Sequence, residues 1–137
     1  MSTRPTRKPR YAPGYMILPQ QRDAIVMPVH IALTAFEHGA GSLAHYYAIA
    51  SFLNISNALA RRMKTAPITS CLIERGMTAL LAADTRFTKT GQWGFSGPEM
   101  LAVRESVTAG DELSKRANTS IFMAVTMAVG EMMEVPA

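Results

Sequence analysis

Start and stop signals for helices divide most of this chain into apolar stretches with helical spacing. The glycines of "GAG" (39–41) end the first stretch, Ser42 can cap the second, and Pro67 separates the second from the third. The clearest start signal is "SGPE", in which Ser96 and Glu99 take the capping-box positions around a first-turn proline. No alternating stretch is long enough for a strand. The sequence therefore predicts an all-α bundle of four or five helices.

The start of the chain lacks this periodicity and carries prolines between basic residues. It holds four cations, whereas ten Lys or Arg balance ten Asp or Glu from Tyr11 onward. We therefore predict an extended basic arm at residues 1–19, which accounts for the formal net charge of +4, and one helical-bundle domain at residues 20–137. The formally neutral bundle is not expected to hold phosphates by itself. The arm is expected to contact nucleic acid or an acidic protein surface, through Arg4, Arg7, Lys8 and Arg10.

Cysteine use and hydropathy restrict the compartment in which the chain can work. Cys71 is the single cysteine, which excludes an internal disulfide and fits a reducing environment. No apolar signal-peptide core follows the polar start, and the longest apolar run (121–130) is too short to span a bilayer. We expect a cytoplasmic protein without membrane contact, in which Cys71 is a small core residue.

Apolar stripes and methionines indicate which side chains should form the core. Ile31 belongs to the stripe of the first helix, and Ile68 and Leu81 belong to the stripe of the third. Met123 and Met127 lie in the methionine-rich last helix. We expect both methionines inside, because methionine fills irregular gaps in protein cores.

The stretch "IASFLNISNALARRM" (49–63) permits two interpretations. Its order of residues matches a helix-turn-helix unit with a turn near Ser56, whose second helix would present Arg61 and Arg62 to a major groove. However, Ala60 occupies a position that is usually Val or Ile in such units. The alternative is one continuous helix with both arginines on its solvated end.

Residues that could support catalysis or bind metal do not form a recognised pattern. His30, His38 and His45 are spaced by eight and seven residues, so they do not place imidazoles on adjacent helical turns. The stretch "GFSGP" imitates a nucleophile elbow, but Pro98 replaces the second glycine, and Ser96 is better explained as a helix cap. We therefore expect a protein that is not an enzyme and that binds no cofactor or metal.

Two large aromatic residues, Trp93 and Phe95, lie in the glycine-rich stretch "TKTGQWGFSG" before the fourth predicted helix. If they are exposed, they would anchor a protein partner, since aromatic side chains dominate the binding energy of many interfaces. Alternatively, they fold back over the bundle core. We retain both residues, together with Arg61 and Arg62, as candidate partner-binding residues.

The order of these features resembles a known family. A basic start, "RKPRYAP", precedes a helix ending in glycine, and then come "NALARRM", "MTALLAADTRF" and the turn "GQWGFSGPEML". Over about residues 7–125, this layout resembles a family of small uncharacterised helical proteins carried by proteobacterial phages, plasmids and integrated elements, some of them labelled regulators. Pro28 and the methionine-rich C-terminus depart from the family pattern.

The resemblance implies a mobile genetic element as the setting. Small proteins of such elements that have no enzymatic activity commonly act in stoichiometric amounts on a host complex. We therefore expect an accessory protein that binds a host protein or protein–nucleic acid complex, and specifically an anti-CRISPR-like inhibitor of a Cas effector complex. The alternative function is a helix-turn-helix transcriptional regulator that binds DNA.

Overall fold

The computed structural model describes residues 19–132, and these residues fold into five α-helices. The helices are α1 (Pro19–Glu37), α2 (Leu43–Met63), α3 (Pro67–Thr90), α4 (Gly97–Arg116) and α5 (Thr119–Met132). Helix α2 lies at the centre and contacts the other four helices, while α3 and α4 form the most extensive helix pair. The predicted all-α bundle is confirmed. Pro19, the last residue of the predicted arm, is the first residue of α1. Residues 1–18 of the predicted arm lie outside the described residues.

Capping boxes begin the two helices that the sequence marked with serine. At α2, the Ser42 hydroxyl accepts a hydrogen bond from the His45 backbone N–H at 3.4 Å, and His45 Nδ1 accepts one from the Ser42 N–H at 3.2 Å. At α4, the Glu99 N–H donates to Ser96 Oγ at 3.3 Å, and Glu99 Oε1 accepts from the Ser96 N–H at 2.9 Å. These bonds satisfy backbone donors that the start of a helix otherwise leaves open.

The direction of the helices defines two ends of the bundle. Connections of two to six residues join successive helices, so α1, α3 and α5 begin on the side where α2 and α4 end. We call this side the arm end, because the basic arm precedes α1, and we call the opposite side the loop end. An ion pair between Arg22, in the first turn of α1, and Asp111, near the end of α4, confirms this arrangement.

Helix α2 separates two groups of core side chains. Phe52 and Leu53 are buried among residues of α1, α3 and α4. Further along α2, Leu59 packs with Phe122 of α5, and Met123 is half-buried against this second group, as the sequence predicts. Burying a side chain of this size stabilises the fold by about 1.5–3 kcal/mol, so the contacts of α2 with both groups contribute substantially to the stability of the bundle.

Small residues allow α2, α3 and α4 to approach closely at two crossings. A Cβ atom at Gly76 of α3 would overlap the Ser106 side chain of α4, and one at Gly110 of α4 would overlap Ser56 of α2. Both serines are fully buried. The Ser56 hydroxyl donates to Phe52 O at 2.8 Å, and the Ser106 hydroxyl donates to Val103 O at 2.7 Å. The three helices therefore form a tightly packed unit in which both buried serine hydroxyls are satisfied.

Several positions expected in the core are exposed instead. Ile31 of α1, Ile68 and Leu81 of α3, and Met127 of α5 are each more than half exposed, and Cys71 is exposed as well. These five predictions of burial are wrong. The buried positions of α3 are Ile73, Gly76, Ala79, Leu80 and Ala83. Ile68 and Leu81 lie outside this buried face of α3, so their side chains are directed to solvent.

Candidate functional site

Helix α2 is continuous through the stretch that resembles a helix-turn-helix unit. Residues 53–56 are helical, and Ser56 Oγ donates to Phe52 O at 2.8 Å within the same helix. Ala60 is buried as part of this helix. Because no turn divides the stretch, the helix-turn-helix interpretation of residues 49–63 is wrong, and the continuous helix is confirmed.

Arg61 and Arg62 lie in the last turn of α2, at the arm end, and both are exposed. Their charges complement the partial negative charge at the C-terminus of the helix. Neither arginine forms an ion pair with an acidic residue of the described part of the chain. Both guanidinium groups are therefore accessible to a charged partner.

Lys64 caps the end of α2 in a left-handed backbone conformation, with φ 51° and ψ 55°. Its N–H donates to Ala60 O, and the Thr65 N–H donates to the same oxygen at 3.3 Å, which closes the end of the helix. Glycine usually occupies such a position, because a Cβ atom is unfavourable there. Among residues 19–132, Lys64 is the one non-glycine residue with a positive φ, and its side chain is exposed. A third cation thus projects from the arm end at a conformational cost.

The unpaired cations of the described residues are concentrated at one end of the bundle. Ion pairs join Arg22 to Asp23 and Asp111, Arg86 to Glu99, Arg104 to Glu37, and Lys115 to Glu112. Six cations in residues 19–132 form no such pair, namely Arg61, Arg62, Lys64, Arg75, Lys89 and Arg116. Four of the six lie at the arm end, whereas Arg75 is within α3 and Lys89 is at the loop end. The arm end therefore carries most of the unpaired positive charge.

Two members of this cluster, Lys64 and Arg116, were not predicted from the sequence. Lys64 directly follows α2, and Arg116 is the last residue of α4. The signal that could have found them is the alternation of helix directions, which brings the ends of α2 and α4 to one side. The net charge of the bundle did not indicate a cationic cluster, because acidic residues elsewhere in the bundle balance its cations.

The cations of the arm precede the same end of the bundle. Arg4, Arg7, Lys8 and Arg10 all lie outside the described residues. Arg10 is nine residues before Pro19, the first residue of α1, and that length of chain spans at most about 30 Å. The arm and the cluster can therefore act on one partner.

Trp93 and Phe95 pack over the core, as one of the two interpretations predicted. The Trp93 ring stacks on Phe87 with a centroid distance of 4.0 Å and on Tyr46 with a distance of 4.5 Å. Phe95 contacts Phe36 with ring centroids 4.7 Å apart. Both side chains are half-buried, so they hold the α3–α4 loop against the bundle. A role for them in partner binding stays a prediction.

Polar contacts fix the same loop from its other side. Arg86 donates to Gly94 O at 2.9 Å and to Glu99 Oε2 at 2.7 Å. The hydrogen bond from Arg86 lowers the pKa of Glu99, and the same bond raises the pKa of Arg86. Burial raises the pKa of Tyr46, whose hydroxyl donates to Leu80 O at 3.2 Å. These groups join α2, α3, the loop and α4 at the loop end.

The candidate residues thus form two groups at opposite ends. Tyr46, which supports the Trp93 ring, precedes Arg61 by fifteen residues of α2. At 1.5 Å per residue, about 22 Å of helix separates them. The structure does not bring Trp93 and Phe95 together with Arg61.

A surface groove of about 490 Å³ between α3 and α4 contains the one thiol, Cys71, together with Glu74 and Glu99. No histidine lines this groove, so it brings no imidazole base to the thiol. Within residues 19–132, no three His, Cys, Asp or Glu side chains are grouped so that they could hold a metal ion. In the same part of the chain, no helix combines the length and apolar character needed to cross a membrane.

Comparisons of the chain with protein-family models, with curated proteins and with solved structures gave no match. The resemblance to small proteins of phages and plasmids therefore stays a prediction. The distribution of charge and aromatic side chains between the two ends is the observation from which function can be argued.

Proposed function

We propose that this chain is a cytoplasmic accessory protein, without enzymatic activity, that binds a host protein–nucleic acid complex in stoichiometric amounts. The observation that carries this proposal is the cluster of unpaired cations at the end of the bundle where α1 begins. In the sequence, the basic residues of the predicted arm precede this end. A nucleoprotein complex offers negative charge and protein surface side by side, which matches a bundle with one cationic end.

The loop end supplies the second part of the proposed interface. Leu43 and Tyr47 are exposed there, and the Tyr47 ring meets Tyr46 edge-on, with ring centroids 6.1 Å apart, beside the Trp93 stack. Leu81, near the middle of α3, is exposed beside a groove that Tyr46 also lines. Exposed apolar and aromatic side chains provide most of the binding energy at protein interfaces. This end is therefore suited to the protein component.

A Cas effector complex is the specific partner that we propose. Such a complex holds a guide RNA within protein subunits, and a small bound protein can block or remodel it. This choice follows from the predicted mobile-element setting, whereas the need for a partner with both protein and negative charge follows from the two ends.

The proposal is tested in a host whose Cas effector destroys a targeted plasmid. Expression of the chain should restore transformation, and the purified chain should form a complex of fixed stoichiometry with identified Cas subunits and their guide RNA. The double variant Tyr47→Ala/Leu81→Ala should weaken this complex, whereas Met127→Ala, which removes an exposed apolar side chain of α5, should not. Tight, sequence-specific binding of the chain to duplex DNA, without any host complex, would refute the proposal.

A further inference from the structure

We propose that the arm end binds the phosphate backbone of a nucleic acid, with Arg61, Arg62, Lys64 and Arg116 as the cations of the folded part that contact it. This inference rests on the proposed function, because it assigns the nucleic-acid component of the host complex to one surface. The four residues lie in or directly after the last turns of α2 and α4.

The four cations of the cluster are exposed to solvent and unpaired within the described part of the chain. The guanidinium and ammonium groups of these four residues are exposed, and none is neutralised by an ion pair within residues 19–132. The acidic residues at this end, Asp111 and Glu112 among them, already pair with Arg22 and Lys115. The local charge is therefore positive although the bundle as a whole is nearly neutral, and such a surface attracts a polyanion.

The surroundings of the cluster favour nucleic acid over an acidic protein. Interfaces between proteins have apolar or aromatic side chains at their centre. Of the large apolar side chains that are exposed in residues 19–132, Ile68 alone lies in a terminal turn at the arm end, and the one aromatic, Tyr47, is at the loop end. Cations without exposed aromatic neighbours suit contacts to phosphate, which fix position but require no apolar anchor.

The backbone of Lys64 is an independent argument. A lysine occupies a left-handed position that glycine would fill with less strain, and this strained residue is one of the four cations of the cluster. Strained residues that persist in folded proteins are concentrated at functional sites. A role in contacting phosphate accounts for a lysine at this position.

The number of cations sets the expected dependence on salt. The cluster and the arm together offer eight positive charges. If each neutralises one phosphate of duplex DNA, the logarithm of the affinity falls with the logarithm of salt concentration with a slope of about −7. Fewer simultaneous contacts give a smaller slope. Because phosphate contacts carry no sequence information, the affinity should be weak and independent of sequence, with Kd in the range of about 10⁻⁴ to 10⁻⁶ M at physiological salt.

The test measures binding of the full chain to labelled nucleic acid by fluorescence anisotropy over a series of salt concentrations. The probes are mixed-sequence duplex DNA and single-stranded RNA, and their comparison shows which backbone is preferred. The double variant Arg61→Ala/Arg62→Ala should reduce the slope on duplex DNA by about 2. The matched control is Arg75→Ala/Lys89→Ala, which removes two unpaired cations outside the cluster and should leave the slope unchanged.

Three results would overturn the inference. The first is an equal loss of slope in the test variant and the control, which would mean that diffuse charge and not this surface attracts the probe. The second is tighter binding to poly-glutamate than to nucleic acid of equal charge, which would assign the surface to an acidic protein. The third is association of the chain with the effector complex without binding to the duplex DNA probe or to the single-stranded RNA probe. This result leaves the proposed function intact. Conversely, nucleic-acid binding with the predicted slope but no effector association supports the inference and refutes the proposed function.

Discussion

Replacing Lys64 with glycine should make the protein more stable, even though the substitution removes a charge from the arm end. Lys64 has φ 51° and ψ 55°, where the Cβ atom of an L-residue costs roughly 1–2 kcal/mol. Glycine avoids this cost but loses roughly 0.4–1 kcal/mol more conformational entropy on folding. The reference is Lys64→Ala, which removes the same charge and keeps the Cβ atom.

The glycine variant should therefore exceed the alanine variant in free energy of unfolding by about 0.5–1 kcal/mol. In a protein of this size, the difference raises the unfolding midpoint by about 2–4 °C. Urea unfolding followed by far-UV circular dichroism measures the free energies. Both variants should also reduce the salt slope of nucleic-acid binding by about 1, because they lose the same cation. Equal stability of the two variants, or lower stability of the glycine variant, would refute the argument from the backbone.

Further predictions concern the close crossing and the loop end. Gly76→Ala should lower the free energy of urea unfolding by about 1–3 kcal/mol because the added methyl group overlaps Ser106, and Ser106→Gly in the same chain should restore part of the loss. The hydrogen bond from Arg86 lowers the pKa of Glu99 from 4.5, so the stability that Glu99 contributes is present above pH 4.5 and is lost as the pH falls below it. Thermal midpoints measured at a series of acidic pH values should therefore depend less on pH in Glu99→Gln than in the native chain. Trp93→Ala should lower the free energy of unfolding by about 2–4 kcal/mol, since it removes a ring stacked between two others.

Each of these predictions has an outcome that contradicts it. A Gly76→Ala variant as stable as the native chain would mean that α3 and α4 do not approach as closely as the structure shows. If the thermal midpoint depends on pH in the same way in the native chain and in Glu99→Gln, the ion pair with Arg86 is not a source of stability. An unchanged unfolding midpoint for Trp93→Ala would mean that the ring does not contribute to packing of the loop.

The sequence predicted the helices well because their ends carry strong local signals. Ser42 and Ser96 cap helices through hydrogen bonds that involve only the next three residues, so no knowledge of tertiary structure is needed. The continuous α2 could be decided only from the structure. A short match to a helix-turn-helix unit and an uninterrupted helix use the same residue types, and packing of Ser56 and Ala60 selects the helix.

Burial was harder to predict, because it depends on which helices approach most closely. Hydrophobicity favours Ile68 and Leu81 as core residues, but α3 faces α4 through Gly76, Ala79 and small neighbours. A close crossing requires small side chains, and this requirement cannot be read from one helix alone. Leu81 is therefore exposed while Gly76 is buried.

The candidate site was also only partly predictable. Arg61 and Arg62 were recognised because the helix-turn-helix match placed them on a second helix, and Trp93 because it is a large aromatic residue in a loop, where residues are normally polar. Arg116 is distant from the two arginines in sequence and joins them only through the alternating directions of the helices. From Tyr11 onward the formal charges sum to zero, and this sum does not show that unpaired cations lie at one end of the bundle.

The dependence of α5 on α2 has a consequence for the order in which the bundle opens. The principal contact of α5 is with α2, whereas α2, α3 and α4 interlock through glycine and serine. Amide hydrogens of α5 should therefore exchange with solvent deuterium through a partial opening that leaves the three interlocked helices protected. Such an opening would uncover the side chains around Leu59, two residues before the first arginine of the cluster. A partner bound across the arm end would suppress this exchange, so protection of α5 would report occupancy of the neighbouring cations without a label on either molecule.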